Sequence, residues 1–397
     1  LNIALRHRPG SLILALVLAL PAPAGVLAQA TEPVPVEGAG VVPGAEAADV
    51  EAGKDTIPSL APDPARHAVL PLPSLFYSAE TRWAAGVSLV HAYRADPADR
   101  VRRPTTTEFS VLATQNEQLV TSVASELYTP DNLHRISASA SYVLFPDAFY
   151  GIGADRPGSA REAYVSRSVA VAAGVRRRVA PGWFVGGAYS LQRIAVEDAD
   201  AGGLLDTGGV AGSDGGTISS LVAHLTRDTR DHVFGARTGL FADLRVRRSE
   251  PLLGSAYAFE GYSLDVRRYH LIGTGHVLAG HGVLTTTRGD VPFQAMPRMG
   301  GSNMMRGYVP NRNRDGALLA AQAEYRTPFV WRLGAVGFAG AGTLAPGVGD
   351  LFTAAPYASY GAGVRFAARR GERLQLRADY AFTGRSRQLY LGVGDAF

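Results

Sequence analysis

The segment GLFADLRVRR, residues 239–248, changes character at every step. Leu240, Ala242, Leu244 and Val246 fall on one face. Phe241, Asp243, Arg245 and Arg247 fall on the other. RLQLRADYAF, residues 373–382, does the same, with Leu374, Leu376, Ala378, Tyr380 and Phe382 against Arg373, Gln375, Arg377 and Asp379. Period two marks a strand with one wet and one apolar face. Each apolar face must then be covered, either by a second sheet or by lipid.

Counting strands separates these outcomes. Alternation and turn residues place sixteen, near 68–78, 82–94, 104–116, 118–129, 132–145, 161–179, 182–196, 216–229, 238–250, 258–271, 275–288, 317–328, 331–342, 356–369, 372–384 and 387–397. Many have ten or more residues. A globular strand has about 5 to 6, and a tilted membrane strand needs about 9 to 11. The connections alternate too. APG (180–182), GTG (273–275) and ARRGE (368–372) are tight, whereas 146–160, 197–215, 289–316 and 343–355 are long. Short turns on one rim and long loops on the other suit an outer-membrane barrel. A secreted double-sheet protein could alternate as well, but it would need shorter strands and shielded edges.

The N-terminus fits export. LNIALRHRPG carries Arg6, His7 and Arg8, SLILALVLAL is an uncharged apolar run, and Ala28 and Ala30 offer small residues for cleavage. This pattern is a secretory signal peptide over 1–30, and its apolar run is too short to span a bilayer. Residues 31–66 are rich in Pro, Gly, Ala and acids and lack aromatics. Such a segment cannot bury enough surface to order itself, so a disordered linker is expected. The barrel then occupies 67–397. The chain has no cysteine, which excludes a disulfide scaffold, thiol catalysis and Cys-based metal sites. No basic cluster alternates with aromatics, so nucleic acid is not an expected partner.

One connection stands out. PRMGGSNMMRGYVPNRNRDG, residues 297–316, carries Arg298, Arg306, Arg312 and Arg314. A loop of this length is usually functional or disordered.

Five segments carry a family likeness in order: LTRDTRDHVFGARTGLFADLRV (225–246), GGSNMMRGY (300–308), AEYRTP (323–328), GAGVR (361–365) and YLGVGDAF (390–397). Together they resemble the bacterial surface antigen superfamily, barrels of the BamA/TamA type. The resemblance implies an all-β, sixteen-stranded antiparallel transmembrane barrel with loop 289–316 folded into the lumen. It implies that Arg306, Gly307 and Tyr308 form the loop motif. Their implied lumenal partners are Glu324, Phe338 and Arg365, and strand alternation adds Asp379 as a lumenal partner. Guanidinium chemistry agrees, because a planar fork inside a barrel suits a carboxylate. Gln322, Glu324 and Arg326 share the polar face of their strand, as do Arg377 and Asp379.

Two departures matter. The family pattern F-x-D-x-G reads Phe338-Ala-Gly340-Ala-Gly342 here, so one carboxylate is missing. Members usually carry periplasmic POTRA domains, and 31–66 is too short to hold one. Client capture would then fall to a separate periplasmic partner or to the barrel itself.

The other constellations read as structural. His276 and His281 differ by an odd number and face opposite sides of a strand, so they and His270 make no metal site. Asp228 and Asp231 are expected to pair with Arg227 and Arg230. Ser137 or Ser139 near His134 is the least poor hydrolase candidate. No catalytic residue, metal or cofactor is assigned.

The expected protein is an outer-membrane barrel, exported by a cleaved signal peptide. It would assist insertion or translocation of proteins, or of lipids. Its expected partners are outer-membrane lipid and client outer-membrane proteins. A passive pore or structural barrel is the alternative, and an outer-membrane hydrolase the third reading. The strands expected to meet at the barrel seam are interrupted by Pro71 and Pro73 on one side and Gly392 and Gly394 on the other. Proline donates nothing to a ladder. Phe397 closes the last strand as an aromatic C-terminal assembly signal.

Overall fold

The period-two segments close on one another into an antiparallel barrel of sixteen strands. The computed structural model describes residues 67–78, 80–94, 96, 104–154, 156–232, 235–367 and 375–397. The signal peptide and linker expected over 1–66 lie outside the described residues, as does the turn 368–372.

The wall begins with β1 (His67–Ser78), β2 (Arg82–Tyr93), β3 (Thr105–Thr114), β4 (Leu119–Tyr128) and β5 (His134–Phe149). It continues through β6 (Glu162–Ala180), β7 (Trp183–Glu197), β8 (Gly216–Asp228), β9 (Gly239–Ser249), β10 (Phe259–Ile272) and β11 (His276–Gly289). A two-stranded ribbon, β12 (Arg298–Met299) and β13 (Asn313–Arg314), interrupts the wall sequence within the next loop. The wall resumes with β14 (Ala317–Arg326), β15 (Leu333–Ala345), β16 (Tyr357–Ala367), β17 (Gln375–Thr383) and β18 (Arg387–Val393). Each wall strand pairs with the next, β11 pairs with β14, and β1 meets β18.

Side-chain distribution is inverted relative to a globular sheet. Val169, Val171, Leu221, Leu225, Leu278 and Val364 are exposed on the outside. Asp243, Glu324, Arg365 and Asp379 are buried on the inside. An apolar exterior around a polar interior is stable in lipid. Closure also removes the free edges that a double sheet would have to protect. Among the described residues no helix is long and apolar enough to cross a membrane.

Wall height varies. β5, β6 and β7 run for 16, 19 and 15 residues, well above the length that spans a bilayer. β18 has only 7. Two departures from the expected strands stand out. β5 continues through Pro146 to Phe149, pairing Pro146 with Val165 of β6. Its pairing with β4 ends at Leu144, so Pro146 has a ladder on one side only, where a missing N–H is tolerated. As the expected bounds require, β3 to β4 and β17 to β18 turn within a few residues on the rim that also carries the long loops. The second departure is β18, which stops at Val393 rather than Phe397.

Candidate functional site

The connection from β11 to β14 is pinched at its base by the β12–β13 ribbon, where Arg298 faces Arg314 and Met299 faces Asn313. Beyond the ribbon the chain turns sharply. Gly300, Gly301 and Gly307 all have positive φ. At Gly307 (φ 107°) a Cβ would meet the Thr383 methyl at 2.8 Å, so both conformation and space call for glycine.

Arg306 at the tip is fully buried. One terminal nitrogen donates to Asp379 Oδ2 on β17 at 2.6 Å, and the other donates to Glu324 Oε2 on β14 at 2.7 Å. Its guanidinium lies 3.4 Å from the centre of the Phe338 ring on β15. Two carboxylates and an aromatic face thus surround one cation, the arrangement that offsets its desolvation.

The wall is shaped for this contact. A Cβ on Gly361 would fall 2.4 Å from the Phe338 ring, and one on Gly363 would fall 2.1 Å from Asp379 Oδ1. The two glycines of GAGVR therefore leave room for the ring and the carboxylate. Arg365 completes the motif by donating to the same Asp379. Gly340 stands where the family pattern has Asp. A Cβ there would lie 3.4 Å from Met305 Sδ, so a thioether borders the place of the missing carboxylate.

The neighbouring loop residues are held separately. The Gly307 N–H donates to the Tyr390 hydroxyl on β18 at 2.9 Å. Tyr308 donates to the Ala358 carbonyl at 3.0 Å and packs edge-on against Tyr357.

The ion-pair network extends further than the sequence reading. Arg326 donates Nε to Glu324 at 2.8 Å and a terminal nitrogen to Asp395 at 2.7 Å. Its other terminal nitrogen reaches the Phe397 carbonyl oxygen at 3.0 Å. Asp395 also accepts from Gln375. These contacts correct the expectation for Phe397. Gly394 (φ 80°) turns the chain out of the strand, and Arg326 draws the tail inward. The Phe397 ring is buried 4.9 Å from the His281 ring, so it closes no strand. Arg326, Asp395, Gln375 and Tyr390 are site residues that sequence reasoning misses. Alternation marks Arg326 and Gln375 as inward, but not what they meet.

At the seam, Tyr77 of β1 faces Leu391 of β18. Pro71 and Pro73 face Leu89 and Val87 of β2. Gly392 faces Arg377 of β17, and Gly394 lies beyond the strand.

The remaining candidates stay apart. His281 points inward toward Asp265 at 3.2 Å, whereas His276 stacks on outward Tyr325. Asp228 holds Arg230 through two bonds, at 2.7 and 3.0 Å. Asp231 instead accepts the backbone N–H of Arg237 and Thr238. β5 is regular over 134–149, so His134 faces away from Ser137 and Ser139. Among the described residues no three His, Asp or Glu side chains converge as for a metal ion.

Comparison with solved structures finds the same architecture. BamA from Haemophilus ducreyi lacking POTRA domains 1–3 is similar with a TM-score of 0.59 and 12% identity, covering 83% of this chain and 70% of that one. CdiB from Acinetobacter baumannii gives 0.56 and 10%, covering 83% and 59%. CdiB from Escherichia coli gives 0.60 and 10%, covering 81% and 61%. This chain thus spans about three fifths of the length of the CdiB chains. No curated protein sequence matches. Residues 106–397 match the Omp85 superfamily domain, and the chain therefore belongs to the Omp85 superfamily of outer-membrane barrels.

Proposed function

We propose that this barrel inserts or translocates client proteins at the outer membrane by opening sideways between β1 and β18. The observation that carries this reading is the seam. β17 and β18 face each other from Leu376 opposite Val393 to Phe382 opposite Arg387, whereas β1 and β18 register at Tyr77 opposite Leu391. Two features make the pairing narrow: β18 is short, and Gly394 turns its end inward. A strand edge freed there can template an incoming strand through main-chain bonds.

In this reading the clients are extended, strand-forming outer-membrane proteins. Membrane lipid borders the opening, and a separate periplasmic partner delivers clients. Arg306, Gly307 and Tyr308 anchor the loop against Glu324, Phe338, Arg365 and Asp379, and the protein performs no covalent chemistry. Its export would use residues 1–30 as a cleaved signal, followed by the 31–66 linker.

A passive pore is disfavoured by the ion-pair network and the loop that occupy the inner face. Depletion in the native host tests the choice. Loss of barrel proteins from the outer membrane is expected. An unchanged protein profile with reduced permeability to small solutes would favour the pore.

A further inference from the structure

The loop that carries Arg306 also touches both sides of the seam. On one side, the Gly307 N–H donates to Tyr390 of β18 at 2.9 Å, and the Ser386 hydroxyl of the β17–β18 turn donates to the Gly307 carbonyl at 2.5 Å. Four residues on, Asn311 reaches the other side. Its amide donates to Glu80 Oε1, in the turn joining β1 to β2, at 3.1 Å. The same amide donates to Asp147 of β5 at 2.7 Å, and its oxygen accepts from Arg298 at 2.6 Å. Asn311 and Tyr390 are both buried, so water does not compete freely for these bonds.

We propose that residues 307–311 are a clasp across the seam, with Tyr390 and Asn311 as the positioning residues at its two ends. The proposal rests on the lateral-opening reading above and adds what restrains the opening. The ladder between β1 and β18 is narrow, so the clasp supplies a second connection between the same two edges near the long-loop rim. Val309 and Pro310 span the gap, and proline fixes its φ, which keeps the span short and stiff. The Arg306 anchor on β14 and β17 holds the clasp down from one side, while the ribbon bond from Arg298 holds Asn311 from the other. Separation of β1 from β18 at this rim must then break the Gly307 end or the Asn311 end. Because the two ends act in series, release of either one frees the seam.

This series arrangement makes a specific prediction. Spin labels at Leu75 and Leu389, both on the outer face, report the distance across the seam in nanodiscs. Tyr390→Phe removes only the hydroxyl, and Asn311→Ala removes the amide that reaches Glu80 across the seam. Each should raise the population of the longer distance about fivefold, the effect of one lost hydrogen bond. The double variant should do little more than either single one. A disulfide between Asn311→Cys and Glu80→Cys should lower the long-distance population only while Tyr390 is intact, because opening then requires the Gly307 end to release. Unchanged distances in both single variants, with the barrel still heat-modifiable on gels, would overturn the clasp. Multiplying effects in the double variant would overturn the series arrangement on which it depends. The lateral-opening reading fails separately: clasp variants that shift the distance without altering client insertion leave the clasp standing and remove that reading.

Discussion

Arg306 and Asp379 lie 73 residues apart in the chain and meet at 2.6 Å inside the barrel, both fully buried. The contact joins the loop tip to β17 and shares its carboxylate with Arg365. Removing one half of a buried ion pair costs about 3 to 5 kcal/mol. Arg306→Ala should therefore lower resistance to denaturant unfolding in liposomes by an amount of that order, reduced by whatever water enters. Arg306→Ala and Asp379→Asn should couple by about 0.5 to 3 kcal/mol in a double-mutant cycle. Additive losses would mean that the two side chains do not act together.

The second prediction concerns the space around that carboxylate. Gly363→Ala would place a methyl 2.1 Å from Asp379 Oδ1. Overpacking of this kind costs about 1 to 3 kcal/mol. At Gly337, in the neighbouring strand, a methyl would have nothing within 4 Å. Gly337→Ala should be neutral or slightly stabilising. Equal effects in unfolding midpoint would contradict the argument that Gly363 makes room for Asp379.

Much of this wall is legible because a barrel writes its two faces into alternate residues. β6, expected over 161–179, occupies Glu162–Ala180, and β14 places Gln322, Glu324 and Arg326 on its buried face as alternation requires. The barrel architecture also follows from strand length and loop asymmetry. What stays hidden is contact across the lumen. Nothing local in GDAF reports that Arg326 pulls it inward, so the sequence alone puts Phe397 in the strand ladder. The β12–β13 ribbon is too short for any period to show. Tyr390 looks like one more inward aromatic, and only the fold places its hydroxyl under Gly307.

The buried tail gives a third prediction. The Phe397 ring covers His281, and the chain has no native cysteine. His281→Cys should therefore be a clean probe, protected from a membrane-impermeant thiol reagent. Removing a buried Phe side chain costs about 3 to 5 kcal/mol, enough to release a four-residue tail. Adding Phe397→Ala should make the cysteine react readily. Rapid labelling without the second change would contradict an inward-folded tail.

The central claim is that β1 and β18 part to admit clients, and a reversible lock tests it most directly. Tyr77 and Leu391 face each other across the seam, and facing strand residues are close enough for a disulfide. Tyr77→Cys with Leu391→Cys should rescue a depleted strain when reduced and fail to rescue it when oxidised. Its conductance in a planar bilayer should be the same in both states, because no lumenal path is closed. Full rescue by the oxidised form would contradict lateral opening.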